Sequence, residues 1–323
     1  MQTNDLKELS PLEKVTLPTA AMPVLKCHPF SRRPGNGFNM ALRSHFPDEL
    51  YGWDSRNPLH WKEQGYWSRL DDQFKEISGA TDYERIENAV RSGDHNMRRY
   101  VCNRLLSSFA AYHHAIQLLP FELWPWFTWF KRSAKHLDFV VSLNYDLLLE
   151  TLLKRIDHSY HRMGIFGENG ETLIFKPHGS LDYGFPEDAL KDLVEWSEAT
   201  RTPLSEMECS HYEALPPERL GESRYSCDVV LPTDYNRIQH YQVISRGYTE
   251  ICQRVANLTH VIVVGVSYWE CDRPELDRLL DQVPSAASII MVNPHPSREW
   301  SDRLQRQGRR VTFCKSTEMI PGK

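Results

Sequence analysis

The chain lacks any apolar run approaching the ~20 residues that cross a bilayer, so no membrane partner is expected. Residues 1–17 alternate charged and polar side chains and contain no apolar stretch typical of a secretory leader. A cytoplasmic location is the expectation. Cys-x-x-Cys pairs are missing as well. The seven cysteines (Cys27, Cys102, Cys209, Cys227, Cys252, Cys271 and Cys314) are odd in number and widely scattered. That pattern offers neither a zinc ribbon nor a disulfide framework, and no metal is expected. There is no basic excess either: 38 Lys and Arg stand against 43 Asp and Glu, a net charge of −5. Direct nucleic-acid binding would need a concentrated basic face, and Arg32-Arg33 and the basic stretch 306–310 read as solvated surface. No internal repeat is visible.

What is present is ordinary globular composition, 41% hydrophobic and 25% charged over 323 residues. The length suits one domain spanning residues 1–323 with a sizeable insertion. A polar lead-in ends in the short apolar segment Met22-Pro23-Val24-Leu25, and turn-rich sequence follows. Residues 79–136 read as a helical segment. Asp82, Glu84 and Glu87 supply carboxylates for a first helical turn, and Val101, Leu105, Phe109, Tyr112 and Ile116 share a face. The aromatic cluster 123–130 is expected to pack under a sheet, and His113-His114 to be a packing pair.

The second half alternates strands and helices. Strands are expected at 137–142, 173–175, 228–231, 261–264, 288–292 and 311–313, with helices at 147–156, 248–258 and 275–283. Continuous apolar strands alternating with amphipathic helices predict a parallel sheet covered on both faces, hence an α/β, Rossmann-like fold. The rhythm fails over 184–226, which is acidic and then Pro-rich and reads as an inserted helix and loop.

In such sheets ligands bind beyond the carboxyl ends of the strands. Polar residues cluster there: Ser142-Leu143-Asn144-Tyr145-Asp146 after one strand, Lys176-Pro177-His178-Gly179-Ser180 after another. Gly265-Val266-Ser267 and Asn293-Pro294 follow two more. Any single one of these could be a helix cap satisfying free N–H groups. Four in one sheet favour a site.

These residues resemble the sirtuin-like domains of bacterial anti-phage defence proteins. Leu143-Asn144-Tyr145-Asp146 with the following Leu149-Glu150 is similar to the family's Asn-Tyr-Asp motif, and His178-Gly179 to its His-Gly element. Val263-Val264-Gly265-Val266-Ser267 with Asp272, and Met291-Val292-Asn293-Pro294, are similar to its two adenosine-side elements, in the same order. The resemblance spans about residues 137–313. Further upstream, Gly35-Asn36-Gly37-Phe38-Asn39 resembles the family's Gly-x-Gly turn toward the dinucleotide pyrophosphate. A plain Gly/Asn surface turn is the other reading of that segment.

The resemblance implies hydrolysis of NAD to nicotinamide and ADP-ribose. Asn144 would hold water or a ribose hydroxyl, His178 would act as general base, and Asp146 would bind the nicotinamide-side ribose or orient its neighbours. Gly35, Gly37, Asn39, Ser142, Tyr145, Gly265, Ser267 and Asn293 would line the dinucleotide site. Pro177 departs from the family's usual aliphatic residue. The four-cysteine zinc module of deacetylating members is absent, which favours hydrolysis over deacetylation. The implied role is NAD depletion during infection, gated by a homo-oligomer or a partner defence protein. The alternative is a catalytically silent NAD- or nucleotide-binding sensor or scaffold subunit.

Overall fold

A computed structural model describes residues 21–25, 45–46, 73, 75–79, 85–86, 88–89, 95–184, 212–222, 242–266, 268 and 273–320. Its centre is a seven-stranded parallel sheet. The strands are β1 (Ala21–Leu25), β2 (Phe139–Ser142), β3 (Tyr160–Arg162), β4 (Thr172–Phe175), β7 (His260–Val264), β8 (Ser288–Val292) and β9 (Arg310–Cys314). The short strands β5 (Tyr183–Gly184) and β6 (Glu213–Ala214) pair separately and antiparallel. The main order is β3-β4-β2-β1-β7-β8-β9. Leaving aside the edge strand β3, this is the doubly wound 3-2-1-4-5-6 order of Rossmann sheets, and the direction of winding reverses between β1 and β7.

Alternation along each strand explains the layers. Val140, Ile174, Ile262, Val264, Ile290 and Val292 face one side, where they join residues of α1 (His95–Gln117), α2 (Pro125–Ser133) and α3 (Leu148–Arg155). Phe139, Val141, Leu173, Phe175, Val261, Val263, Ile289 and Met291 face the other side. There they meet α4 (Gln242–Val255), α5 (Arg273–Asp281) and α6 (Arg298–Arg306). Strands buried on both faces must be apolar along their covered length, which is why β7 and β8 run apolar from their second residue onward.

The aromatic segment packs as expected. Trp124, Trp126, Phe127, Trp129 and Phe130 are all buried, and Pro125 opens α2 at a position where its missing N–H costs nothing. His113 is buried while His114 is exposed, and burial pushes the His113 imidazole below its ordinary value, with His114 adding to the shift. Arg85, Ile86, Asn88 and Ala89 are helical.

Besides the short strands β5 and β6, three elements escape the sequence pattern. β1 sits at the middle of the sheet, paired to β2 on one side and β7 on the other, although the sequence suggests only a short apolar segment there. β3 is a polar edge strand. α6 buries only Trp300 and Leu304; the Ser297 hydroxyl accepts from the Trp300 N–H at its start. The expected strand at 228–231 and most of the 184–226 insertion lie outside the described residues. Within that insertion, β6 and the 3-10 turn Pro217–Arg219 are seen. Among the described residues no helix is long and apolar enough to cross a membrane.

Candidate active site

Because every strand of the main sheet runs the same way, the segments after β2, β4, β7 and β8 all emerge at one edge. β2 and β4 are neighbours, so the Asn144 and His178 segments lie side by side. Two clamps join them. The Leu181 N–H donates to the Tyr145 carbonyl at 2.7 Å. Lys176, at the end of β4, donates its ammonium to the Asp146 carbonyl at 2.5 Å and to Glu150 Oε1 of α3 at 3.0 Å.

The Lys176–Glu150 pair is buried, with side-chain exposures of 0% and 4%. Desolvation of an ion costs several kcal/mol unless it is paired. Burial accordingly pushes the Glu150 carboxyl above its ordinary range, and Lys176 pulls it back. Beside this pair, Arg162 of β3 bonds both Glu168 and Asp182, and the Ser180 hydroxyl donates to Asp182 at 2.8 Å. Burial would raise the Asp182 carboxyl, but Arg162 and Lys176 outweigh it and hold it below the ordinary range. The floor under the two loops is thus a compensated charge network that fixes the loop backbones.

Asn144 is 4% exposed. Its backbone N–H donates to Ser142 Oγ at 3.4 Å, and no partner for its Oδ1 is found among the described residues. A buried acceptor left open costs about 1–3 kcal/mol, so this oxygen is available to a ligand donor. Asp146 Oδ1 accepts the Leu148 N–H at 2.9 Å, an Asx turn that starts α3. The helix-cap reading therefore holds for one oxygen of Asp146. The Tyr145 ring lies between Phe109 of α1 and His178, with centroids 5.6 and 6.3 Å away. Gly179 has φ +83, a left-handed backbone that costs a side-chain-bearing residue strain, and this turn presents His178.

His178 does not stand alone. Its Nε2 lies 2.5 Å from Glu275 Oε2, and the Tyr248 hydroxyl donates to Glu275 Oε1. Glu275 lies in the first turn of α5, 97 residues away. In the sheet β2 and β1 separate β4 from β7, so the contact bridges the point where the winding reverses. The sequence carries no signal for it, since Glu275 reads as an ordinary first-turn acid complementing the helix dipole.

The segments after β7 and β8 form a second unit. Gly265, at φ +63, donates its N–H to the Val292 carbonyl at 3.0 Å. Asn293 donates from Nδ2 to the Val266 carbonyl at 3.0 Å and accepts the His295 N–H at 2.8 Å. Its side chain thus braces these two loops. Gly35, Gly37, Asn39 and Ser267 lie outside the described residues. Among the described residues no group of three or more His, Cys, Asp or Glu side chains is arranged to hold a metal ion. Compared with models of protein families and with curated proteins, the sequence matches none.

Proposed function

We propose that the protein hydrolyses the nicotinamide–ribose bond of NAD and serves anti-phage defence by depleting it. The observation that carries this reading is the placement of Asn144 and His178 on adjacent strand ends of a Rossmann-ordered sheet. There Asn144 has an open buried acceptor and His178 a buried carboxylate partner. Dinucleotides bind at this edge of such sheets, and the motif resemblance supplies the identity of the ligand.

The chemistry breaks the C1′–N bond and releases nicotinamide as the ribose gains oxocarbenium character. Water adds at C1′ and its proton goes to a base. Asn144 would orient the water or a ribose hydroxyl through its carboxamide. His178 would take the proton on a ring nitrogen. Asp146 would bind the nicotinamide-side ribose or orient its neighbours, and the Gly265 backbone would allow close approach of the dinucleotide. No step needs a metal ion or a redox partner. Activity uncontrolled in a healthy cell would be lethal, so a homo-oligomer or partner protein would gate it.

A second reading, a silent nucleotide-binding sensor, draws on the near-complete burial of Asn144 and His178, 4% and 6% exposed. One assay separates the two. Nicotinamide release by wild type, with loss of about 10²-fold or more in Asn144→Ala and His178→Ala, supports hydrolysis. NAD binding by calorimetry without release supports the sensor. Release unchanged in both variants refutes the assigned roles.

A further inference from the structure

We infer that Glu275 is a positioning residue for His178 that decides which imidazole nitrogen carries the proton, an inference that gains its catalytic meaning from the NAD reading above. A carboxylate can only accept hydrogen bonds. Facing Glu275 Oε2 at 2.5 Å, His178 Nε2 therefore holds the proton of the neutral ring, and Nδ1 is left with the lone pair. The base in the proposed reaction is then Nδ1. When it takes the proton, the imidazolium forms against a carboxylate already in place, so little reorganisation is needed at that moment.

The carboxylate is itself held. Its other oxygen accepts from Tyr248 of α4, whose ring packs edge-on against Phe175 of β4 with centroids 5.1 Å apart. The Arg278 guanidinium of α5 covers the same ring at 4.7 Å. Phe175 ends the strand from which the His178 loop departs, so Tyr248 locks α4, α5 and that loop into one register. A first-turn acid of a surface helix is ordinarily solvated and serves only to complement the helix dipole. Glu275 is instead 1% exposed, and its burial is tolerable because donors, His178 and Tyr248 among them, converge on it.

The proposal is tested on the full-length protein labelled with ¹⁵N-histidine. Long-range ¹H–¹⁵N correlations read the tautomer of each of its 14 histidine rings, and His178 is assigned from the signal lost in His178→Gln. Wild type is expected to show the Nε2–H form at His178. Glu275→Leu is expected to show a mixture of both forms. In parallel, nicotinamide release should fall about 10²-fold in kcat for Glu275→Leu and Glu275→Gln, with KM within about threefold, because the groups that would bind substrate are untouched. Tyr248→Phe keeps the charge and should lose less. An unchanged His178 tautomer in both Glu275 variants overturns the proposal, as does full kcat in either. The tautomer readout needs no NAD. If it behaves as expected while wild type releases no nicotinamide, the positioning stands and the NAD reading falls. If wild type is active and the Glu275 variants keep kcat, the reverse holds.

Discussion

Replacing Lys176 with methionine removes the cation beside Glu150 while nearly preserving side-chain length, and the structure gives the size of the effect. Both side chains are buried and 3.0 Å apart, and the same ammonium also bonds the Asp146 carbonyl. Removing one partner of a buried pair costs about 3–5 kcal/mol. That is a large share of the roughly 5–15 kcal/mol that holds a typical native protein together. The pH dependence has a definite sign. Burial already sets the Glu150 carboxyl above its ordinary range in the folded state, and Lys176 opposes that shift. Without Lys176 the shift is larger. A raised folded value favours folding below the unfolded value of ~4.3, and that advantage is lost as pH rises through the folded value. Lys176→Met should therefore be least destabilising near pH 4 and most destabilising near neutrality. Glu150→Leu added to Lys176→Met removes the stranded charge and should recover most of the loss. Urea unfolding followed by tryptophan fluorescence at both pH values measures this. A loss below about 1 kcal/mol at neutral pH, or a double variant equal to the sum of the singles, would refute the reasoning.

Asp182 has the opposite sign: its carboxyl is held low in the folded state, so its contribution is present above ~3.9 and disappears as pH falls through the folded value. Asp182→Asn should flatten the acid limb of a stability–pH curve followed by near-ultraviolet circular dichroism. Gly179→Ala forces a Cβ into a φ of +83 and should cost about 1–2 kcal/mol. It should also slow nicotinamide release, since the same turn carries His178. Gly247→Ala drives a Cβ into the Phe175 ring, and overpacking of this kind costs about 1–3 kcal/mol. Thermal unfolding reads that loss, and a melting temperature unchanged from wild type would contradict the packing of α4 on β4.

The strands most plainly read from the sequence are those covered on both faces. β2, β4, β7 and β8 announce themselves as apolar runs because nearly every position along them is buried. β9, by contrast, is an edge strand whose Val311-Thr312-Phe313 run was legible from its β-forming residues although much of it is exposed. β1 could not be read the same way. Pro23 lacks an N–H and argues against a central strand, yet Ala21–Leu25 pairs on both sides, in register with β2 and β7. Those pairings involve residues more than a hundred positions away, and no local pattern encodes them. β3 was hidden for the opposite reason: an edge strand of Tyr160, His161 and Arg162 is polar like a loop.

The candidate site divides along the same line. Asn144, Asp146 and His178 stood out in the sequence because polar residues directly after buried strands must project at the carboxyl edge, whatever the strand order. Local chemistry also foretold part of their roles, since Asp146 does start α3 through one oxygen. The sequence did not reveal that β2 and β4 are neighbours, that Lys176 clamps their loops together, or that Asn293 spends its amide on bracing its own loops. Least legible of all was Glu275. Locally it is an acid in a first helical turn, indistinguishable from a solvated one. Only the packing of α4 and α5 against β4 strips it of water and turns it onto His178 and Tyr248. Periodicity and motif order are local properties, written into the chain; the partner of a buried charge is set by which distant elements the fold packs together.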